Sequence, residues 1–161
     1  MSPRRRTAYF QRTPGSPAPM TVTVSHRVQF READIMGVLW HGRYLALFEE
    51  AATELRRRFG MGYPELHAAA LQAPIVQARV DYHRPLLLDE SARVAAHLIW
   101  NEAARLDIEY EVFGEDGQCA ATGFTVQMFV DAIKRQPYVC SPELLCRCRA
   151  RWLHEAAGTK P

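Results

Sequence analysis

Between Tyr44 and Phe59 the apolar residues return every three or four positions. Tyr44, Leu47, Phe48, Ala51, Ala52, Leu55 and Phe59 fall on one stripe of a helix. Glu50, Glu54 and Arg57 fall opposite, and Glu54 with Arg58 makes a favourable i,i+4 pair. A stripe this wide has to be covered, and a sheet is the expected cover. The start of the helix is less ordinary. Trp40, His41 and Gly42 precede it, with no Ser, Thr, Asp or Asn in the capping place. Its first amides therefore have no local acceptor and stand at the positive end of the helix dipole. Asp34 lies seven residues before His41, in a loop loosened by Gly37. A carboxylate beside free backbone donors is a reaction site in outline.

Each residue also has a plainer reading. Asp34 and Gly37 fit an ordinary turn, His41 a hydrogen-bonded surface histidine, and Glu49 a solvated carboxylate on the helix flank. The chain beyond the helix decides how the stripe is covered. Gly60 and Gly62 stop the helix, and Tyr63-Pro64 opens a short connection through Ala70. Strand patterns cover 21–31, 74–84, 91–100, 106–113 and 118–130, the last two joined by a Gly114-Glu115-Asp116-Gly117 turn. The 91–100 segment is expected to pair with 74–84. One strand, one long helix and four further strands predict an α+β domain with a five-stranded antiparallel sheet around the helix.

The ends differ from this body. Residues 1–20 are rich in Arg, Pro, Ser and Gly and are expected to be a disordered tail, or to precede a natural start at Met20. The domain is expected over 21–140, with a short helix and tail over 141–161. Arg4, Arg5, Arg6 and Arg12 have no acid among the first 19 residues, so a whole-chain charge of +2 leaves the body at −2. A mildly acidic body argues against a nucleic-acid partner. No apolar run approaches the ~20 residues needed to span a bilayer, and a cytoplasmic location is expected. Cys119, Cys140, Cys146 and Cys148 lack metal-site spacing, so no metal and no cofactor is expected.

As an ordered string, Glu32-Ala33-Asp34-Ile35-Met36-Gly37-Val38-Leu39-Trp40-His41-Gly42-Arg43-Tyr44, then Phe48-Glu49, resembles the start of acyl-CoA thioesterases of the 4-hydroxybenzoyl-CoA thioesterase type. The resemblance runs from about Val22 to Val139. It implies a hotdog fold, hydrolysis of an acyl-CoA or acyl-carrier-protein thioester, and a homodimer or homotetramer with the site between subunits. Asp34 is then the nucleophile or general base, and Glu49 a reserve for orienting water. Gly37, His41, Gly42, Arg43 and Tyr44 surround the carbonyl. Arg84 and Arg105 are candidates for the CoA phosphates. Two residues depart from the family pattern: Glu32 replaces its first Asp, and Arg43 its Asn or Ser. The alternative is a non-hydrolytic hotdog protein, a hydratase or an acyl-carrier binding module.

Overall fold

The computed structural model describes residues 8–158. Strand β1 (Met20–Arg27) leads through a 3₁₀ turn and a loop into helix α1 (Tyr44–Phe59), followed by α2 (Tyr63–Ala68) and β2 (Leu71–Gln72). Then come β3 (Ile75–Tyr82), β4 (Ser91–Ile99), β5 (Arg105–Phe113), β6 (Cys119–Met128), β7 (Val130–Asp131) and α3 (Glu143–Gly158). Five strands form one antiparallel sheet in the order β1-β4-β5-β6-β3, while β2 pairs only with β7. This is the hotdog arrangement, with α1 lying on the inner face of the sheet. No helix among the described residues is long and apolar enough to cross a membrane.

The whole stripe read from the sequence is buried, from Tyr44 to Phe59. It meets Val22 on β1, Val94, Ala96 and Leu98 on β4, and Leu106, Ile108, Tyr110 and Val112 on β5. Phe48 lies flat on Tyr110, centroids 4.2 Å apart and planes within 4°. Gly123 of β6 lets that ring in, since a Cβ there would lie 2.6 Å from Phe48. Gly60, in the left-handed conformation at φ 84°, ends α1 by returning its amide to Arg56 and Arg57. Glu54 pairs with Arg57 at 2.6 Å, one position earlier than the expected Arg58. Beyond Gly60, α3 closes the end of the core. Trp152 packs edge-on against Phe59 and Trp100, and its indole N–H donates to Ala18 O at 3.2 Å.

Three expectations are corrected. The strand over 21–31 ends at Arg27, and a 3₁₀ turn at Phe30–Glu32 carries Phe30 outward to 85% exposure. Strand β4 does not pair with β3. It runs between β1 and β5, while β3 crosses to the far edge and pairs with β6. The connection at 83–90 cannot make a tight hairpin, because Leu86 is drawn into the core and Leu87 bridges to Val38.

The third correction concerns the tail. Residues 1–7 lie outside the described residues, but Tyr9, Phe10 and Arg12 are laid on the outer face of the sheet and Ala18 meets α3. The amides of Tyr9 and Phe10 donate to Glu109 at 2.8 and 2.9 Å, and Arg12 reaches the same carboxylate at 2.7 Å. The Tyr9 hydroxyl donates to Asp81 at 2.6 Å and accepts from Thr122, which accepts in turn from His83. Burial, then the bond to Asp81, pushes the Tyr9 hydroxyl up to about 12. Both Tyr9 and Phe10 pack on Phe124. The sequence reading missed this because two aromatics among arginines and prolines carry no period.

A chain beginning at Met20 is therefore expected to be less stable than the full chain. Water can replace the strap at Glu109, so the cost is about 1–3 kcal/mol, a Tm lower by roughly 3–8 °C. Thermal melts of the two proteins check it, and coincident curves would return 8–19 to a loose tail.

Candidate active site

The loop before α1 is held on both sides. Residues Ala33 and Leu39 bridge across it, the Asp34 amide donates to Val38 O at 2.9 Å, and the Gly37 amide donates to Asp34 O at 3.0 Å. Gly37 takes φ +74°, which a β-carbon disfavours. The 86–88 segment clasps the loop from outside: the Leu39 amide donates to Leu86 O at 2.8 Å and the Leu88 amide to Gly37 O at 3.0 Å. Asp34 is half-buried, and its Oδ1 accepts the Met36 amide at 2.8 Å. Among the described residues the carboxylate is thus fixed by backbone and meets no cation.

Glu32 has a different task. Its Oε2 accepts the Gln29 amide at 2.9 Å and His26 Nε2 at 2.8 Å, while His26 Nδ1 faces Glu50 on α1 at 3.2 Å. Burial pulls the Glu32 carboxyl upward, but the Gln29 amide and His26 outweigh it and hold it below its ordinary value. Glu32 and His26 tie β1, the loop and α1 together. His26 was legible only as a polar residue at an inward position of β1.

His41–Arg43 form a 3₁₀ turn that runs directly into α1, and neither start has a side-chain cap. The Arg43 amide donates to Trp40 O at 2.8 Å. Among the described residues the amides of His41 and Gly42 meet no acceptor. The Trp40 ring lies over Gly42 where a β-carbon would stand, so a larger residue there would push the ring aside. Asp34, Glu32, Trp40, Gly42 and Arg43 line one cleft of about 320 Å³. The His41 imidazole is exposed, 4.9 Å from the Trp40 ring, and its carbonyl accepts the Tyr82 hydroxyl at 2.9 Å. Tyr44 is buried beneath, its ring edge-on to Tyr82 at 5.1 Å. Burial raises the Tyr44 hydroxyl above its ordinary value. Tyr82, unremarkable in the sequence, is what joins the edge strand to the turn. Arg43 is exposed and, among the described residues, has no carboxylate within 4 Å.

Glu49 lies elsewhere. It faces a second, larger cleft of about 1040 Å³ between α1, α2, the start of β3 and Gln127. Arg56 holds Glu49 at 2.6 Å and donates to Gln127 Oε1 at 3.1 Å. Within one chain, then, Asp34 and Glu49 are not brought together. The two arginines expected to bind phosphate are also placed differently. Arg105 opens β5 and pairs with Asp107 at 3.0 Å. The site lies at the Phe113 end of that strand, about 27 Å away at ~3.4 Å per residue. Arg84 is committed to Glu90 and Asp116, both at 2.7 Å, pinning the β5–β6 hairpin.

Arg84, against the opposing effect of burial, holds the Glu90 carboxyl below its ordinary 4.5. Asp116 is lowered first by the Gln118 amide and, against a small rise from burial, also by Arg84. Depressed carboxyls contribute stability that is present above their unfolded values and lost as pH falls through the folded ones. Arg84→Gln is therefore expected to lower Tm most near pH 7, with the gap to wild type closing towards about pH 3. Melts across that range check it, and parallel curves would contradict it. The KM for substrate should not change.

Comparison with known proteins agrees with the fold. Residues 28–147 match the family model described as the thioesterase-like superfamily. A candidate esterase of Synechocystis sp. is 30% identical over 125 residues, covering 74% of this chain and 75% of its own length. The acyl-CoA thioester hydrolase YbgC of Escherichia coli O157:H7 is 22% identical, covering 69% of this chain and 83% of its own. The DHNA-CoA thioesterase of Staphylococcus aureus superposes with a TM-score of 0.71 at 25% identity, over 86% of this chain and 89% of that one. By its matched span and its relatives, this chain belongs to the thioesterase-like superfamily and is a thioester hydrolase.

Proposed function

We propose that the chain hydrolyses acyl-CoA thioesters, with Asp34 as the reacting carboxylate. The observation that carries this is the shared cleft of Asp34 and the uncapped turn at His41–Arg43. A thioester carbonyl seated there would direct its oxygen at the free amides of His41 and Gly42. These donors and the helix dipole stabilise the oxyanion as it forms. Asp34 then either attacks the carbonyl, giving an anhydride that water opens, or takes the proton of the attacking water. In both routes the thiol leaves and the free acid follows. CoA is the carrier assigned here because the E. coli relative is named for acyl-CoA.

The reading extends to a second subunit. Strand β3 is an edge strand, exposed over most of its length, with Ile75, Val76 and Tyr82 half-exposed. An uncovered apolar edge of this kind invites pairing. A two-fold through the middle of β3 sets Ile75 of one subunit opposite Tyr82 of the other. The Asp34 cleft of each subunit then adjoins the larger cleft of its partner, where Glu49 can orient water. The strap over 8–19 covers the outer sheet face, which favours a dimer over a back-to-back tetramer.

Thiol release from a panel of acyl-CoAs, read with a thiol-reactive dye, tests the function. Release with at least one acyl group is expected. No release from any member would overturn the proposal.

A further inference from the structure

Gln127 is fully buried, yet among the described residues its Nε2 has no hydrogen-bond partner. The amide cannot be turned the other way. Arg56 only donates, and it bonds Gln127 Oε1 at 3.1 Å, so Nε2 must face away from it. Gln127 lies in the wall of the larger cleft, beside Arg56 and Glu49 and against Leu66, Leu71 and Ile75. A leucine would fill this place without leaving a buried donor unsatisfied. A buried donor kept without a partner among the described residues, in a wall that mixes Leu66, Leu71 and Ile75 with Glu49 and Arg56, is open to an acceptor from a ligand.

The sheet register says which part of a ligand reaches it. Gln127 pairs with Ile75, and both lie on the helix side of the sheet. In the dimer proposed above, Ile75 faces the partner copy's equivalent of Tyr82, whose hydroxyl marks the oxyanion turn. Two strand spacings of ~4.8 Å therefore separate Gln127 from the partner's reaction site, about 10 Å. That is the length of a short or medium acyl group.

We infer that Gln127 Nε2 donates to a hydroxyl or keto oxygen carried by the acyl group, and so selects oxygenated acyl-CoAs over saturated ones of equal length. The inference rests on the acyl-CoA hydrolysis proposed above. A buried donor left without its acceptor penalises the analogue that lacks the oxygen.

The test compares kcat/KM on matched saturated, hydroxy- and oxoacyl-CoAs for wild type, Gln127→Leu and Gln127→Glu. Gln127→Glu keeps the shape and the oxygen that Arg56 holds, so it serves where the leucine variant does not fold. Wild type should favour an oxygenated member by about 10-fold or more, and both variants should bring that ratio to about 1. A ratio near 1 in wild type, or one unchanged in the variants, overturns the inference. Binding of matched non-hydrolysable acyl-CoA thioethers separates this inference from the hydrolysis. Thiol release with no Gln127-dependent binding preference sinks the acyl subsite, while such a preference without thiol release sinks the hydrolysis and keeps the subsite.

Discussion

Asp34→Asn is expected to lower kcat on acyl-CoA by at least about 10²-fold while leaving Tm nearly unchanged. The amide keeps an oxygen for the Met36 amide, so the turn at 34–37 should survive. The loop is held mainly by backbone bonds, at Asp34, Gly37, Leu39 and Leu88, and none of these needs the carboxylate. The variant loses only the charge and the basicity. As nucleophile or as base, a neutral amide is incapable of the step. Steady-state thiol release with a parallel melt checks both halves. Wild-type turnover would remove Asp34 from the chemistry, and a large fall in Tm would make its role structural.

Phe48→Ala has the largest expected effect on stability. The ring is buried, stacked on Tyr110 at 4.2 Å and seated over Gly123. Tyr110 is itself fixed by a 2.9 Å bond between its hydroxyl and Thr125. Rigid walls on both sides cannot collapse onto a methyl group, so the cavity persists and the cost falls at the high end for such changes, about 3–5 kcal/mol. For a chain of this size that is a Tm lower by roughly 10 °C or more. A loss under about 1 kcal/mol by chemical denaturation would mean that α1 repacks freely on the sheet.

Much of the fold was legible because α1 and the β5–β6 hairpin are local. All seven residues of the apolar stripe, Tyr44 to Phe59, are the buried residues of α1. The turn at 114–117 joins β5 and β6 as its glycines imply. What was not legible depends on distant partners. Strand β3 carries no mark that sends it to β6 past β4, and residues 8–19 bond to Glu109 about a hundred positions away. Phe30 reads as an inward strand residue until Glu32, bonded to Gln29 and His26, turns the chain away. The same division holds at the site. Asp34, Gly37 and Gly42 sit in one short stretch and announce themselves together. Tyr82 comes to it, and Gln127 to the second cleft, only through the sheet register, and single residues in strand patterns give no such notice.

The most direct test of hydrolysis through Asp34 is a single turnover with enzyme in excess over one acyl-CoA, following thiol and free acid together. Wild type should yield thiol and acid in equal final amounts, together if Asp34 is the base and with acid lagging thiol if it is the nucleophile. Asp34→Asn should yield both at least about 10²-fold more slowly. Equal rates from the two proteins, or loss of acyl-CoA without free thiol, would contradict the role assigned to Asp34.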